Sequence, residues 1–460
     1  MTTMNAPKET QCMPDQQSRV PVDDRSSAVH GSSSRFGRRW FLRSVAGGVA
    51  GGVAGTVAAG ALGGRAEAAT TDNGHNEDDY NMEATREGTR SIPFYGQYQA
   101  GIATAPQTAA TFLAFDVTAA NRGELTQLFQ TLTARAAFLT AGGTPPARLP
   151  SAPPSDDRLL GPTVLPDDLT VTVAVGASLF DRRYGLGPRK PAQLETMQGF
   201  AHDNLDPAIS GGDLLLQLCA SHRDTVGHAM LDLLAHTAGG MRMRWRLDGF
   251  RFPPRPVGIP RDWMGFKDGI ANPDTTNATE MSHEVWVQAG APPEPAWTAG
   301  GTYQVVRIIR MFLDQWGKVP VEEQERIFGR RKVSGAPMYA TSPDAPDTLP
   351  TRYTNDPQGL LTPLNCHIRL ANPQTPEAAA TSAILRRSFQ YDRSPDTEGN
   401  PDMGHAFCCF QQQLATYIAM QTRLENEMLV PYISPNGGGY FFALPGVTNP
   451  QDYYARGLLT

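Results

Sequence analysis

Leu169-Thr170-Val171-Thr172-Val173-Ala174-Val175 alternates its side chains and is rich in β-branched residues, so it reads as a β-strand. It anchors a regular order of elements. Upstream, Thr111-Phe112-Leu113-Ala114-Phe115-Asp116-Val117 reads as another strand. Residues 124–139 set Leu125, Leu128, Phe129 and Leu132 at helical spacing. A loop rich in proline, from Pro145 to Pro154, joins the two. Downstream, 213–220 predicts a strand and 225–238 a helix with Val226, Met230, Leu233 and Leu234 on one side. Residues 241–247 set Met, Met, Trp and Leu against arginines, a half-exposed strand. Strand, helix, strand, strand, helix, strand is the split β-α-β order of a ferredoxin-like domain.

Phe252-Pro253-Pro254-Arg255-Pro256 punctuates the chain and marks a boundary, giving domains 92–255 and 256–460. The second part repeats the scheme. Strands are expected at 302–312, 404–411 and 440–444, the last after Gly437-Gly438-Gly439. A short acidic helix follows Pro320 at 321–328, and another helix is expected at 414–428. Residues 367–370 lie near a strand or loop, and the Pro-rich stretch between Gly335 and Leu364 has no clear pattern. The fold class is α+β, two halves with antiparallel sheets.

The 460-residue chain carries 40 Lys and Arg against 46 Asp and Glu, mixed along its length, so nothing points to nucleic acid as a partner. Gly37-Arg38-Arg39-Trp40-Phe41-Leu42-Arg43 precedes a soft Ala-, Gly- and Val-rich stretch at 44–63, the pattern of a twin-arginine export signal. Ala66-Glu67-Ala68 reads as its cleavage site, making 1–68 the signal region. The partner implied is the twin-arginine export machinery, and the destination is the periplasm or the cell exterior. Residues 69–91 are polar and acidic and read as a disordered mature N-terminus. Cys12 lies in the leader, and Cys219, Cys366, Cys408 and Cys409 remain. Adjacent Cys408 and Cys409 in a strand point to opposite faces and are not expected to bridge. No C-x-x-C or C-x-x-C-H occurs, which argues against a zinc ribbon or covalently attached haem.

The chemistry concentrates in three segments. Arg261-Asp262-Trp263-Met264-Gly265-Phe266-Lys267-Asp268-Gly269-Ile270-Ala271-Asn272-Pro273 sets Asp268 in a Gly-flanked turn. Asn365-Cys366-His367-Ile368-Arg369-Leu370-Ala371-Asn372-Pro373 presents a histidine, and Ile384-Leu385-Arg386-Arg387-Ser388 an arginine pair. With Gly300 to Arg307, Phe328 to Pro337 and Gly437 to Gly446, these resemble the exported, iron-linked branch of the dye-decolourising peroxidases, also called deferrochelatases. The resemblance covers nearly the whole mature chain. It implies two ferredoxin-like halves with b-type haem in the second, hydrogen peroxide as oxidant and a reducing small molecule as donor. The reaction would pass through a ferryl intermediate.

His367 resembles the proximal iron ligand, Asp268 the distal acid that shuttles a proton on peroxide, and Arg386 the distal arginine that stabilises the leaving oxygen. The rival of Arg386 is Arg387, and the family's pair favours the first. Arg307 and Arg330 are candidate partners of the haem propionates, since a guanidinium matches a carboxylate bidentately. Trp263, Tyr303 and Tyr440 read as core or pocket aromatics with radical transfer as the alternative. His202, His222, His228, His236 and His283 read as surface or helix residues, leaving His405, on a strand, as the rival iron ligand.

One departure matters. Pro431 stands where the family usually has the acid that holds the proximal histidine. Glu427, Asp402, a backbone carbonyl or water could take its place, with Glu427 preferred. Two other functions compete with peroxidase chemistry: release of iron from haem, and non-catalytic haem binding or electron transfer. An intact Asp268 and Arg386 argue against the last. Homo-oligomers and iron-uptake partners stay open.

Overall fold

The computed structural model describes residues 88–460 apart from 153, 256 and 380. The signal, its cleavage site and Cys12 lie outside the described residues. The stretch expected to be disordered reaches into them at 88–91. There the backbone pairs with the main body, Asp167 N donating to Gly88 O at 2.9 Å and Asp168 N to Arg90 O at 2.8 Å.

The first half has β1 (Ala109–Val117), α1 (Arg122–Ala141), β2 (Thr170–Gly176), β3 (Leu214–Ala220), α2 (Arg223–His236) and β4 (Met241–Phe250). Its strands lie in the order β2-β3-β1-β4, all antiparallel. Helix α1 starts where it does because Asn121 Oδ1 accepts from Glu124 N at 3.0 Å while Glu124 reaches back to Ala120 N at 2.8 Å. Losing such a cap costs about 1 kcal/mol. Arg135 and Asp232 bind each other bidentately at 2.7 and 2.8 Å, tying α1 to α2.

The second half has β5 (Thr302–Met311), α3 (Val321–Phe328), α4 (His367–Ala371), β6 (Leu385–Arg386), β7 (Phe389–Arg393), β8 (Asp402–Gln411), α5 (Leu414–Leu424) and β9 (Ile433–Ala443). Strand β5 pairs with β8 and β9, and β8 with β6 and β7, which repeats the first half's order. The halves do not form separate sheets. β2 pairs with β9 and β4 with β7, so the nine strands close into one barrel.

Period-2 alternation then sorts the core into two. Phe112, Ala114, Trp245, Val306, Cys408 and Phe441 pack within one cluster, while Leu113, Phe115, Val305, Cys409 and Phe442 join α1, α2 and α5 in another. Cys408 and Cys409 therefore face opposite sides, as expected, and all four described cysteines are free and buried.

Three elements differ from the sequence reading. β9 begins at Ile433, not after the glycines, and runs through Gly437 to Gly439. Gly438 sits at φ 110°, and a Cβ there would meet Val306 O at 2.0 Å, so only glycine keeps the strand paired to β5. Helix α5 stops at Leu424, not 428, because the chain turns to give Met428 N to Asn365 O at 3.2 Å. His367 opens a five-residue helix where a strand or loop is expected. One turn of helix has little intrinsic stability, so packing decides it. Arg369 donates to Asp356 O at 2.9 Å and Thr362 O at 2.8 Å, closing the loop before it. Gly329, left-handed at φ 89°, lets the end of α3 approach, since a Cβ there would lie 2.6 Å from Cys366 Sγ.

Candidate functional site

A cleft of about 1740 Å³, mouth included, lies against the helix-covered face of the second half's sheet. Arg307 and Ile309 of β5 and His405 and Phe407 of β8 reach it, because alternate residues of a strand share a face. Helix α5 contributes Tyr417, Met420 and Leu424, α4 contributes His367, and the turn after β4 contributes Asp262 and Asp268. Much of the lining is apolar, including Met264, Phe328, Ile384 and Leu429, which suits a large flat macrocycle.

His367 shows the clearest preparation for a metal. Its Nδ1 lies 2.5 Å from Glu427 Oε2. An acceptor-only carboxylate fixes the proton on Nδ1, which leaves the Nε2 lone pair able to bind a metal. Burial works against the charged ring, but Glu427 outweighs it and raises the His367 pKa. Glu427 thus replaces the acid missing at Pro431. It does so from the turn after α5, held by Glu427 N to Leu424 O at 3.1 Å, and not from a continued helix. Asp402, the other candidate, accepts from the Tyr391 hydroxyl at 3.0 Å and pairs with Arg393 at 3.5 Å. Glu427→Gln should raise the ferric/ferrous potential of the haem protein, because the ring loses imidazolate character. Asp402→Asn should leave it unchanged, and spectroelectrochemical titration of both variants checks this.

A second group of polar residues lines another part of the wall. Arg386 Nη1 pairs with Asp268 Oδ1 at 2.7 Å, and His405 Nε2 lies 3.6 Å from Asp268 Oδ2. Asp268 is aimed by a narrow turn in which Arg261 bridges Lys267 and Asp268 N donates to Pro260 O at 3.0 Å. Asn272, which the sequence reading passed over, clamps Arg386. Its Nδ2 donates to Arg386 O at 2.7 Å and its Oδ1 accepts from Arg386 N at 3.1 Å. Burial would raise the Asp268 carboxyl, yet Arg386, His405 and Arg251 together hold it below its ordinary value. Asp262, in the same turn, goes the other way: burial and the charge of Asp268 push it up to about 7. Neighbouring acids driven apart in this way can take different protonation states at one pH.

His405, the rival candidate for iron, stands beside Asp268, with Nε2 3.6 Å from Asp268 Oδ2. Gln390 Nε2 lies 3.0 Å from its Nδ1. An amide donor there places the ring proton on Nε2, toward Asp268. Burial lowers the His405 pKa, which favours the neutral ring. The signal for this role was its strand parity with Phe407, visible in sequence only once the face was known.

Arg386 and Arg387 part company because successive strand residues face opposite ways. Arg386 lines the cleft, whereas Arg387 is buried and donates to Thr104 O and Gln107 Oε1. Arg307 reaches the cleft but is already paired with Asp203, with Tyr417 Oη 3.3 Å from its Nη1, so its charge is largely spent before any propionate arrives. Arg330 fits that role better. It lines the cleft, donates only to carbonyls, at 2.7 Å to Gly335 O and 3.1 Å to Asp347 O, and shows no ion pair among the described residues. Trp263, Tyr303 and Tyr440 do not line the cleft. Tyr303 and Tyr440 are buried, the Tyr303 hydroxyl donating to Glu294 at 2.6 Å, and Trp263 Nε1 donates to Tyr391 O at 3.1 Å. His228, read as a surface or helix residue, lies on α2 and is buried.

Comparison with known proteins gives the family. The N-terminal family model of the Dyp-type peroxidases matches residues 99–251, and the C-terminal one matches 259–448. The deferrochelatase of Escherichia coli strain K12 is 46% identical over 374 residues, covering 80% of this chain and 87% of its own. The structure titled ferric DtpA from Streptomyces lividans is 31% identical with a TM-score of 0.73, covering 82% of this chain and 98% of that one. The DyP-type peroxidase of Cellulomonas bogoriensis is 30% identical with a TM-score of 0.70, covering 81% and 99%. The two family models, which together match most of the chain, and the 46% identity over 80% of it make this protein a member of the haem-dependent Dyp-type peroxidase family.

Proposed function

We propose that this chain is an exported member of the family that reduces hydrogen peroxide and oxidises a small one-electron donor. The observation that carries the site assignment is the Asp268–Arg386 pair with His405 beside it, in the same cleft as His367–Glu427. Haem, when bound, supplies the electrons that the peroxide bond takes up. His367 would hold it through Nε2, with Glu427 fixing the ring, and Arg330 would meet a propionate.

The chain's own groups then handle the proton and the charge. Asp268, kept ionised, accepts a proton from one peroxide oxygen and returns it to the other, so that water can leave. Arg386 faces the negative charge that grows on the departing oxygen. His405, kept neutral by burial, stands 3.6 Å from the Asp268 carboxylate and does not compete for the proton. Stopped-flow mixing of the haem protein with peroxide, followed by steady-state oxidation of a phenol or dye, tests the reading. No spectral change on adding one equivalent of peroxide would overturn it.

Iron release from haem is the second reading, favoured by 46% identity to deferrochelatases. No residue of the cleft explains how iron would leave. Anaerobic incubation with haem separates the two: metal-free porphyrin fluorescence would support release, and its absence with intact peroxide turnover would leave peroxidase chemistry alone. An iron-uptake system is the partner class that release would require.

Export rests on Arg38-Arg39 and the weakly apolar stretch after them. Replacing both arginines by lysine should hold the precursor in the cytoplasm. Cell fractionation checks this, and mass spectrometry of the exported chain should find a terminus just after Ala68. Equal export of the double-lysine variant would remove the twin-arginine assignment.

A further inference from the structure

The geometry points to a divalent-cation site far from the cleft in sequence, built from Asp156, Asp157 and His228. One atom from each lies within 4.8 Å of the others. His228 projects from α2, while the two aspartates come from the long loop between α1 and β2. The His228 side chain is 1% exposed and that of Asp156 4%, whereas Asp157 is 28% exposed.

The orientation of the imidazole carries the inference. His228 Nδ1 lies 2.7 Å from Asp157 Oδ1. That carboxylate can only accept, so it draws the ring proton to Nδ1 and turns the Nε2 lone pair the other way. Nε2 is buried and has no hydrogen-bond partner. What it faces is another anion, Asp156 Oδ2, at 3.5 Å. A lone pair set against a carboxylate in a buried position is unfavourable unless something positive lies between them. The spacing suits a cation. Two ligands at about 2.1 Å from a tetrahedral metal stand roughly 3.4 Å apart. Asp157 then plays the part of the outer carboxylate that orients a metal-bound histidine. The other oxygen of Asp156 is already occupied, accepting from Arg158 N at 2.6 Å, so Oδ2 is the one left to bind.

Imidazole nitrogen with carboxylate oxygen favours a first-row cation such as Zn2+ over Ca2+ or Mg2+. Water, entering beside the exposed Asp157, would complete the coordination. The bound ion would clip the α1–β2 loop onto α2.

Isothermal titration of Zn2+ into the chelator-treated, haem-loaded protein tests this, with Mg2+ as control. The parent should bind Zn2+ with a stoichiometry one higher than Asp156→Asn or His228→Gln, or at least roughly tenfold tighter at that site. Zn2+ should also raise the melting temperature of the parent more than that of either variant. The haem absorption spectrum and circular dichroism identify any variant that has not folded, and Asp156→Asn alone decides should His228→Gln fail. Equal Zn2+ binding by parent and Asp156→Asn would overturn the site, leaving adventitious binding only. No Zn2+ binding by the parent would overturn it too.

Discussion

His367→Ala should leave the protein folded but nearly without haem. Outer carboxylates that merely orient a metal-bound histidine are worth about 10–100-fold in metal affinity. Loss of the ligand itself should therefore cost more than about 100-fold. No other histidine lining the cleft can take over, because His405 stands beside Asp268 with Nδ1 facing Gln390. The measurement is the ratio of haem to protein after purification, together with the coordination spectrum. A full complement of histidine-bound haem in this variant would remove His367 as the ligand. Glu427→Gln should act more mildly, keeping most of the haem while shifting its potential, since the ring stays but loses its acceptor.

Asp268→Asn should keep haem and slow the peroxide step by roughly a hundredfold or more, the usual scale for a positioned proton shuttle. Arg386→Leu should lose about as much, from charge left unopposed on the departing oxygen. The two variants differ in their pH dependence. Asp268 works as a carboxylate, and burial tends to raise its pKa while Arg386, His405 and Arg251 bring it below the ordinary value. In the parent, the rate should hold as pH falls until it passes through that depressed pKa. Without Arg386, Asp268 should take up its proton at higher pH, so the acid limb of kcat/KM for peroxide moves to higher pH. Asp268→Asn should have no such limb. If neither substitution slows the step, or if Arg386→Leu leaves the acid limb in place, the distal assignment is wrong.

The sequence by itself determined most of the elements and the family whose chemistry the site is read by. Alternation at 169–175 and 111–117, and apolar spacing at 124–139, are local patterns, and a strand or amphipathic helix is a local consequence of them. The acid, the histidine and the arginine pair were legible for another reason: each sits in a segment whose motif resembles a known family. Tertiary structure decided whatever depended on residues distant in the chain. Closure of the barrel needs β2 against β9 and β4 against β7, pairings between residues far apart in the chain that leave no periodic trace. The helix at His367 forms because Arg369 and Gly329 fix its surroundings, and a single turn has no strong propensity of its own. Glu427 reaches His367 only because α5 ends early at Leu424. Arg386 and Arg387 are the same residue type one position apart, and only the facing of β6 and the chain just after it sends one to the cleft and the other into the core. His405 beside Asp268 and His228 between two aspartates follow the same rule. A histidine's role is set by the groups that its two nitrogens meet, and those come from elsewhere in the fold.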